Sequence, residues 1–88
     1  MTKPISIKVD SDVGDAEAVA YIRYSSAGRS SGYSLDPDGA VNVDLAADGC
    51  VIGIELLALD DYTWGLAREI AGAHSLWLPA TAGELLPS

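Results

Sequence analysis

Between Ala40 and Leu57 apolar side chains fall at every second position in two successive runs, and no other feature restricts the fold as tightly. Val41, Val43 and Leu45 alternate with Asn42 and Asp44; Ile52, Ile54 and Leu56 alternate with Gly53 and Glu55; Asp48-Gly49 separates them. Successive strand residues point to opposite faces, so each run has one apolar face, and the turn signal joins the two as an antiparallel hairpin. Directly opposed residues share a face. A connection from Ala46 to Gly49 puts both apolar rows on one side, with Leu45 opposite Cys50, Val43 opposite Ile52 and Val41 opposite Ile54. The other face then pairs Asp44 with Val51, Asn42 with Gly53 and Ala40 with Glu55.

The flanking sequence supplies further strands. Ile5 to Val9 alternates at period two; Ala18 to Tyr24 is rich in β-branched and aromatic residues; a short strand is expected from Tyr33 to Leu35. Asp10 to Glu17 and Ser25 to Gly32 read as connections, and Asp36-Pro37-Asp38-Gly39 as a tight turn. After Leu57 the period changes. Tyr62, Leu66, Ile70 and Ala73 fall at helical spacing, flanked by Trp64, Ala67 and Ala71, so one amphipathic helix is expected. Asp60 or Asp61 would cap its start, and Gly72 sits near its exit. From Leu76 onward, Trp77, Pro79, Gly83 and Pro87 suggest an irregular tail lying on the surface.

The expected fold is therefore α+β: an antiparallel β-meander of four or five strands with one C-terminal helix packed on it. The 88 residues suffice for a single domain, 1–88, with its core in 5–74 and a tail over 75–88.

Charge narrows the function classes. Five basic against 13 acidic residues give a net charge of -8, which disfavours nucleic acid and anionic membrane surfaces as partners. A partner selected by charge would be basic. The single Cys excludes an internal disulfide, and no Cys/His cluster has metal-ligand spacing, so no cofactor is implied. The first residues lack the apolar core of a signal peptide, and no apolar run approaches the ~20 residues of a membrane span, which reads as cytoplasmic.

Asp15-Ala16-Glu17-Ala18-Val19-Ala20-Tyr21-Ile22-Arg23, followed by Val41-Asn42-Val43-Asp44-Leu45, Asp48-Gly49 and Val51-Ile52-Gly53-Ile54-Glu55, resembles the domain of unknown function 2283 family of small prokaryotic proteins. The resemblance covers about residues 5 to 60. It implies a strand followed by a hairpin, no established catalytic residues and, from the toxin-like genes beside some members, an antitoxin or partner-binding role. The small residues of the 25–32 loop and the helix and tail after Asp61 depart from that pattern.

Several residues are candidates for function. Asn42, Asp44 and Glu55 share the polar face of the hairpin, joined by Tyr21 and Arg23 if the second strand buries Ala20 and Ile22. The plain reading is a solvated face with an Arg23 ion pair; an interface or acid-base chemistry by Asp44 and Glu55 are the alternatives. Asp10, Asp12, Asp15 and Glu17 crowd one loop without the ligand spacing of a calcium loop. His74 is placed to favour the negative end of the helix dipole. Cys50 would lie on the core side of the hairpin as a small apolar residue. Two Trp exceed what so short a chain visibly requires, so Trp64, Trp77 and Leu78 either cover the sheet in cis or form an interface. The reading these support best is a non-enzymatic interaction module that self-associates as a homodimer. The alternatives are an acidic antitoxin-like partner of a basic toxin and a small hydrolase using Asp44 and Glu55.

Overall fold

The loop of the central hairpin is one residue shorter than the sequence suggests, and a bulge compensates for it. In the computed structural model, which describes residues 1–11, 18–35 and 39–81, β4 (Val41–Leu45) and β5 (Val51–Leu56) pair antiparallel. Ala46 N–H donates to Cys50 O (2.9 Å), Gly49 N–H donates to Ala46 O (2.9 Å), and Gly49 takes φ 87°. This is a hairpin turn whose last loop residue is left-handed, a conformation that favours glycine. Cys50 thus lies opposite Ala46, at an exposed position, and not opposite Leu45 on the core side. Leu45 pairs with Val51 instead.

Continued unbroken, that register would set Gly53 opposite Val43 and turn Ile54 outward. The ladder shifts between Asp44 and Leu45, leaving Ile52 as the extra residue, and resumes with Val43 opposite Ile54 and Val41 opposite Leu56. The bulge returns Ile54 and Leu56 to the apolar face, where both are fully buried. The carbonyl of the extra residue is satisfied, because Tyr24 N–H (2.7 Å) and Ser25 N–H (3.2 Å) both donate to Ile52 O.

Three further strands complete the sheet: β1 (Ser6–Ser11), β2 (Ala18–Arg23) and β3 (Ser31–Ser34). All neighbours are antiparallel in the order β1-β2-β5-β4-β3. The α+β class, the five strands and the covering helix agree with the sequence, but the order is not that of a simple meander, because β2 pairs with β5. Strands β2 to β5 thereby take a Greek-key order. The segment between β2 and β3 spans two strand positions and is anchored at its far end by Ser30 N–H on Leu45 O (2.8 Å).

The helix α1 (Asp61–Ala73) starts at Asp60, whose carboxylate accepts from Thr63 N–H (2.8 Å) while Thr63 Oγ1 accepts from Asp60 N–H (3.1 Å). Reciprocal capping of this kind satisfies two helix-end donors. The buried stripe is Thr63, Trp64, Ala67, Ile70 and Ala71; of the expected stripe Tyr62, Leu66, Ile70 and Ala73, Tyr62 and Ala73 are exposed and Leu66 only partly buried. Two anchors turn the helix this way: Thr63 Oγ1 donates to Ala58 O (2.8 Å), and the Trp64 indole N–H donates to Pro79 O (3.1 Å). Gly72 lies inside the helix; His74 is its C-cap, and Ser75 takes the left-handed conformation at φ 56°.

One core unites sheet and helix, with Ala20, Ile22, Val43, Ile54 and Leu56 meeting Trp64 and Ile70. It extends past the expected boundary at residue 74. Leu76 is buried in the core, Thr2 N–H donates to Ser75 O (2.9 Å) and Trp77 N–H to Thr2 O (2.8 Å), so Thr2 and Leu76 form a short parallel bridge. The acidic residues Asp12, Asp15 and Glu17, the turn residues Asp36, Pro37 and Asp38, and the tail after Thr81 lie outside the described residues.

Candidate functional site

The helix covers one face of the sheet, and strand parity fixes what stands on the other. Strand β2 buries Ala20 and Ile22, so Tyr21 and Arg23 face outward with Asn42, Asp44 and Glu55. Registers extend this face to Ser6, Lys8 and Asp10 on β1 and to Gly32 and Ser34 on β3.

At its centre Tyr21 reaches across a whole strand. Its Cα partner on β5 is Glu55, yet its hydroxyl donates to Asp44 Oδ2 (2.9 Å) on β4. The ring passes over Gly53; a Cβ there would come within 2.5 Å of Tyr21 Cζ. Glycine in a strand interior commonly marks such a close approach. Asp44 Oδ1 accepts from Arg29 Nε (2.8 Å), so both carboxylate oxygens are engaged. Burial, with the Asp44 carboxylate next in order, pushes the Tyr21 phenol above its ordinary range and keeps it neutral.

Arg29, not Arg23, is therefore the cation of Asp44. Sequence reasoning passed over it because it sits in a loop of small residues, outside any strand alternation. A signal in the sequence that could have found the network is Gly53, a residue without a side chain inside a strand, where another group can approach closely. Asn42 is also occupied: its Nδ2 donates to Gly39 O (2.7 Å) and its Oδ1 accepts from Ser34 Oγ, which ties the outer face to the turn before β4. Glu55 sits opposite Asn42, diagonal to Asp44, and its side chain makes no hydrogen bond among the described residues.

The remaining candidates are spread over the molecule. Trp64 is a core residue with 4% of its surface exposed, which leaves it nothing to offer a partner. Leu78 packs partly on the same core, and Trp77 is half-exposed beside Lys3 and Pro4. Trp77 O accepts from the Tyr24 hydroxyl (2.8 Å), so the described tail packs in cis. Cys50 shares a surface depression with Thr2, Ser25 and His74, but the Asp48 carboxylate pushes its thiol upward, opposite to what a nucleophile requires. Among the described residues no cluster of three or more His, Cys, Asp or Glu side chains is arranged to hold a metal ion, and no helix is long and apolar enough to cross a membrane.

Comparison of the chain with models of protein families, with curated proteins and with solved structures gives no match. The likeness to the domain of unknown function 2283 family rests on the quoted residues.

Proposed function

We propose that this chain is a non-enzymatic interaction module that self-associates as a homodimer. One observation carries the reading: Tyr21, Asp44 and Arg29, and likewise Ser34 and Asn42, serve one another on the outer face, while large apolar side chains stay in water at the sheet margins. Val19 and Leu57 stand there on the outer side, and Tyr33 and Leu35 at the β3 edge. Exposed apolar surface is what association removes from water.

The hydrolase reading fares worse on the same geometry. A general acid or base needs a proton-accepting position open to substrate, and Asp44 spends both oxygens on Tyr21 and Arg29. The antitoxin reading needs an acidic surface, yet the outer face balances Lys8, Arg23 and Arg29 against Asp10, Asp44 and Glu55. Cytoplasmic residence belongs to the same proposal.

Light scattering at low and high salt tests it. At chain concentrations of about 1 mM the expected mass approaches twice the 9.1 kDa chain, more closely at high salt than at low. A chain-mass species at every concentration would overturn the reading, and a basic protein that co-purifies and leaves with added salt would put the antitoxin in its place.

A further inference from the structure

We infer that the homodimer forms by antiparallel pairing of β3 with β3 of a second copy, with Tyr33 opposite Tyr33, joining two sheets into one of ten strands. This deepens the self-association reading and rests on it.

The two edges of the sheet differ in kind. Strand β1 carries Lys8 and Asp10 and follows Pro4, all devices that discourage edge-to-edge pairing. Strand β3 reads Ser31-Gly32-Tyr33-Ser34, has neither charge nor proline, and is exposed along its length. A chain of net charge -8 repels its own copy, so a neutral edge is where that repulsion opposes approach least.

Parity then selects a register. Leu35 N–H donates to Val41 O (3.1 Å), so Leu35, and by the two-residue alternation Tyr33, turn their backbone groups toward β4. Gly32 and Ser34 consequently direct N–H and C=O off the sheet. An antiparallel copy centred on Tyr33 sets Gly32 opposite the second copy's Ser34 and Ser34 opposite its Gly32. All the outward groups of these two residues then form hydrogen bonds, and the facing tyrosines occupy the position where opposed side chains lie closest.

The side chains agree with this arrangement. Tyr33 is paired with Val43, so it stands on the helix-covered side of the sheet, with Leu35 two residues on at the same side, and the two are 41% and 40% exposed. Strands paired about a two-fold axis perpendicular to the sheet keep their faces in common. The dimer therefore brings two tyrosines and two leucines together on the core side and extends the apolar layer across the junction. On the opposite face Ser34 is small, and the Arg29 guanidinium that lies over Gly32 is held there by Asp44.

Three variants in a Cys50→Ser background test the proposal. Tyr33→Cys should give a disulfide-linked dimer under mild oxidation, whereas Glu69→Cys on the exposed side of the helix should cross-link at least tenfold less. Ser34→Pro removes one outward N–H and leaves the β4 ladder intact, as proline is tolerated where an edge N–H faces solvent; it should keep the circular dichroism spectrum and lose the dimer. A dimer that survives Ser34→Pro, with Tyr33→Cys failing to cross-link, would overturn the β3 register while leaving self-association in place. A wild-type chain that is monomeric throughout would overturn both.

Discussion

Tyr24 ties the sheet to the C-terminal segment and carries a pH signature. Burial pushes its phenol pKa up to about 12 from 10.0, and its hydroxyl donates to Trp77 O. The unfolded chain releases this proton first as pH rises, so the contribution is complete below pH 10 and is lost between about 10 and 12. At ~1.4 kcal/mol per unit the loss is on the order of 3 kcal/mol. Denaturation measured from pH 9 upward should show that decline in the wild type and a flatter profile in Tyr24→Phe; equal slopes would contradict the assignment. At the outer face, Gly53→Ala forces the Tyr21 ring off its seat and should cost about 1–3 kcal/mol, the usual range for overpacking. Combining it with Tyr21→Phe should cost less than the sum of the two, because both break the same contact. Of this network, the face of Asp44 was legible in the hairpin alternation, whereas that of Tyr21 hung on which residues the second strand buries. Arg29 was not, since a loop residue has no periodicity to place it.

At the scale of elements, the sequence located the strands and the helix within a few residues but not how they engage. The hairpin faces were legible for Val41, Val43, Ile54 and Leu56, where apolar parity allows only one solution, but not for Cys50 and Val51, whose sides are the reverse of those expected. The register was not, because a shorter loop followed by a bulge at Ile52 gives the same parity as the longer loop alone. The helix posed a similar ambiguity: two stripes share Ile70, and the choice fell to Thr63 and Trp64, whose polar atoms bond to Ala58 O and Pro79 O from outside the helical period. The capping box gives this element its own prediction. Asp60→Ala removes a side-chain acceptor at the helix start and should cost about 1 kcal/mol in urea denaturation, with the largest drop in protection in the first helical turn. A change below a few tenths would show that Thr63 holds that end alone.

For the whole molecule, one core and one covering helix leave a sheet that is closed on one face and open at an edge. The strand order was not legible, because a β2-to-β5 pairing depends on the crossover that Ser30 and Tyr24 anchor, and loops of small residues do not reveal their path. Nor did the sequence distinguish the two Trp: one is core and the other half-exposed. Self-association through β3 is small by interface standards, so its Kd should be on the order of 0.1 mM, with added salt strengthening it by screening the like charge of the copies. The most direct measurement is amide hydrogen exchange by NMR at protein concentrations from about 0.01 to 1 mM, spanning that Kd. The account predicts that the Gly32 and Ser34 amides become several-fold slower as concentration rises while those of β1 do not change. Gly32 and Ser34 exchanging at one rate across the whole range would contradict it.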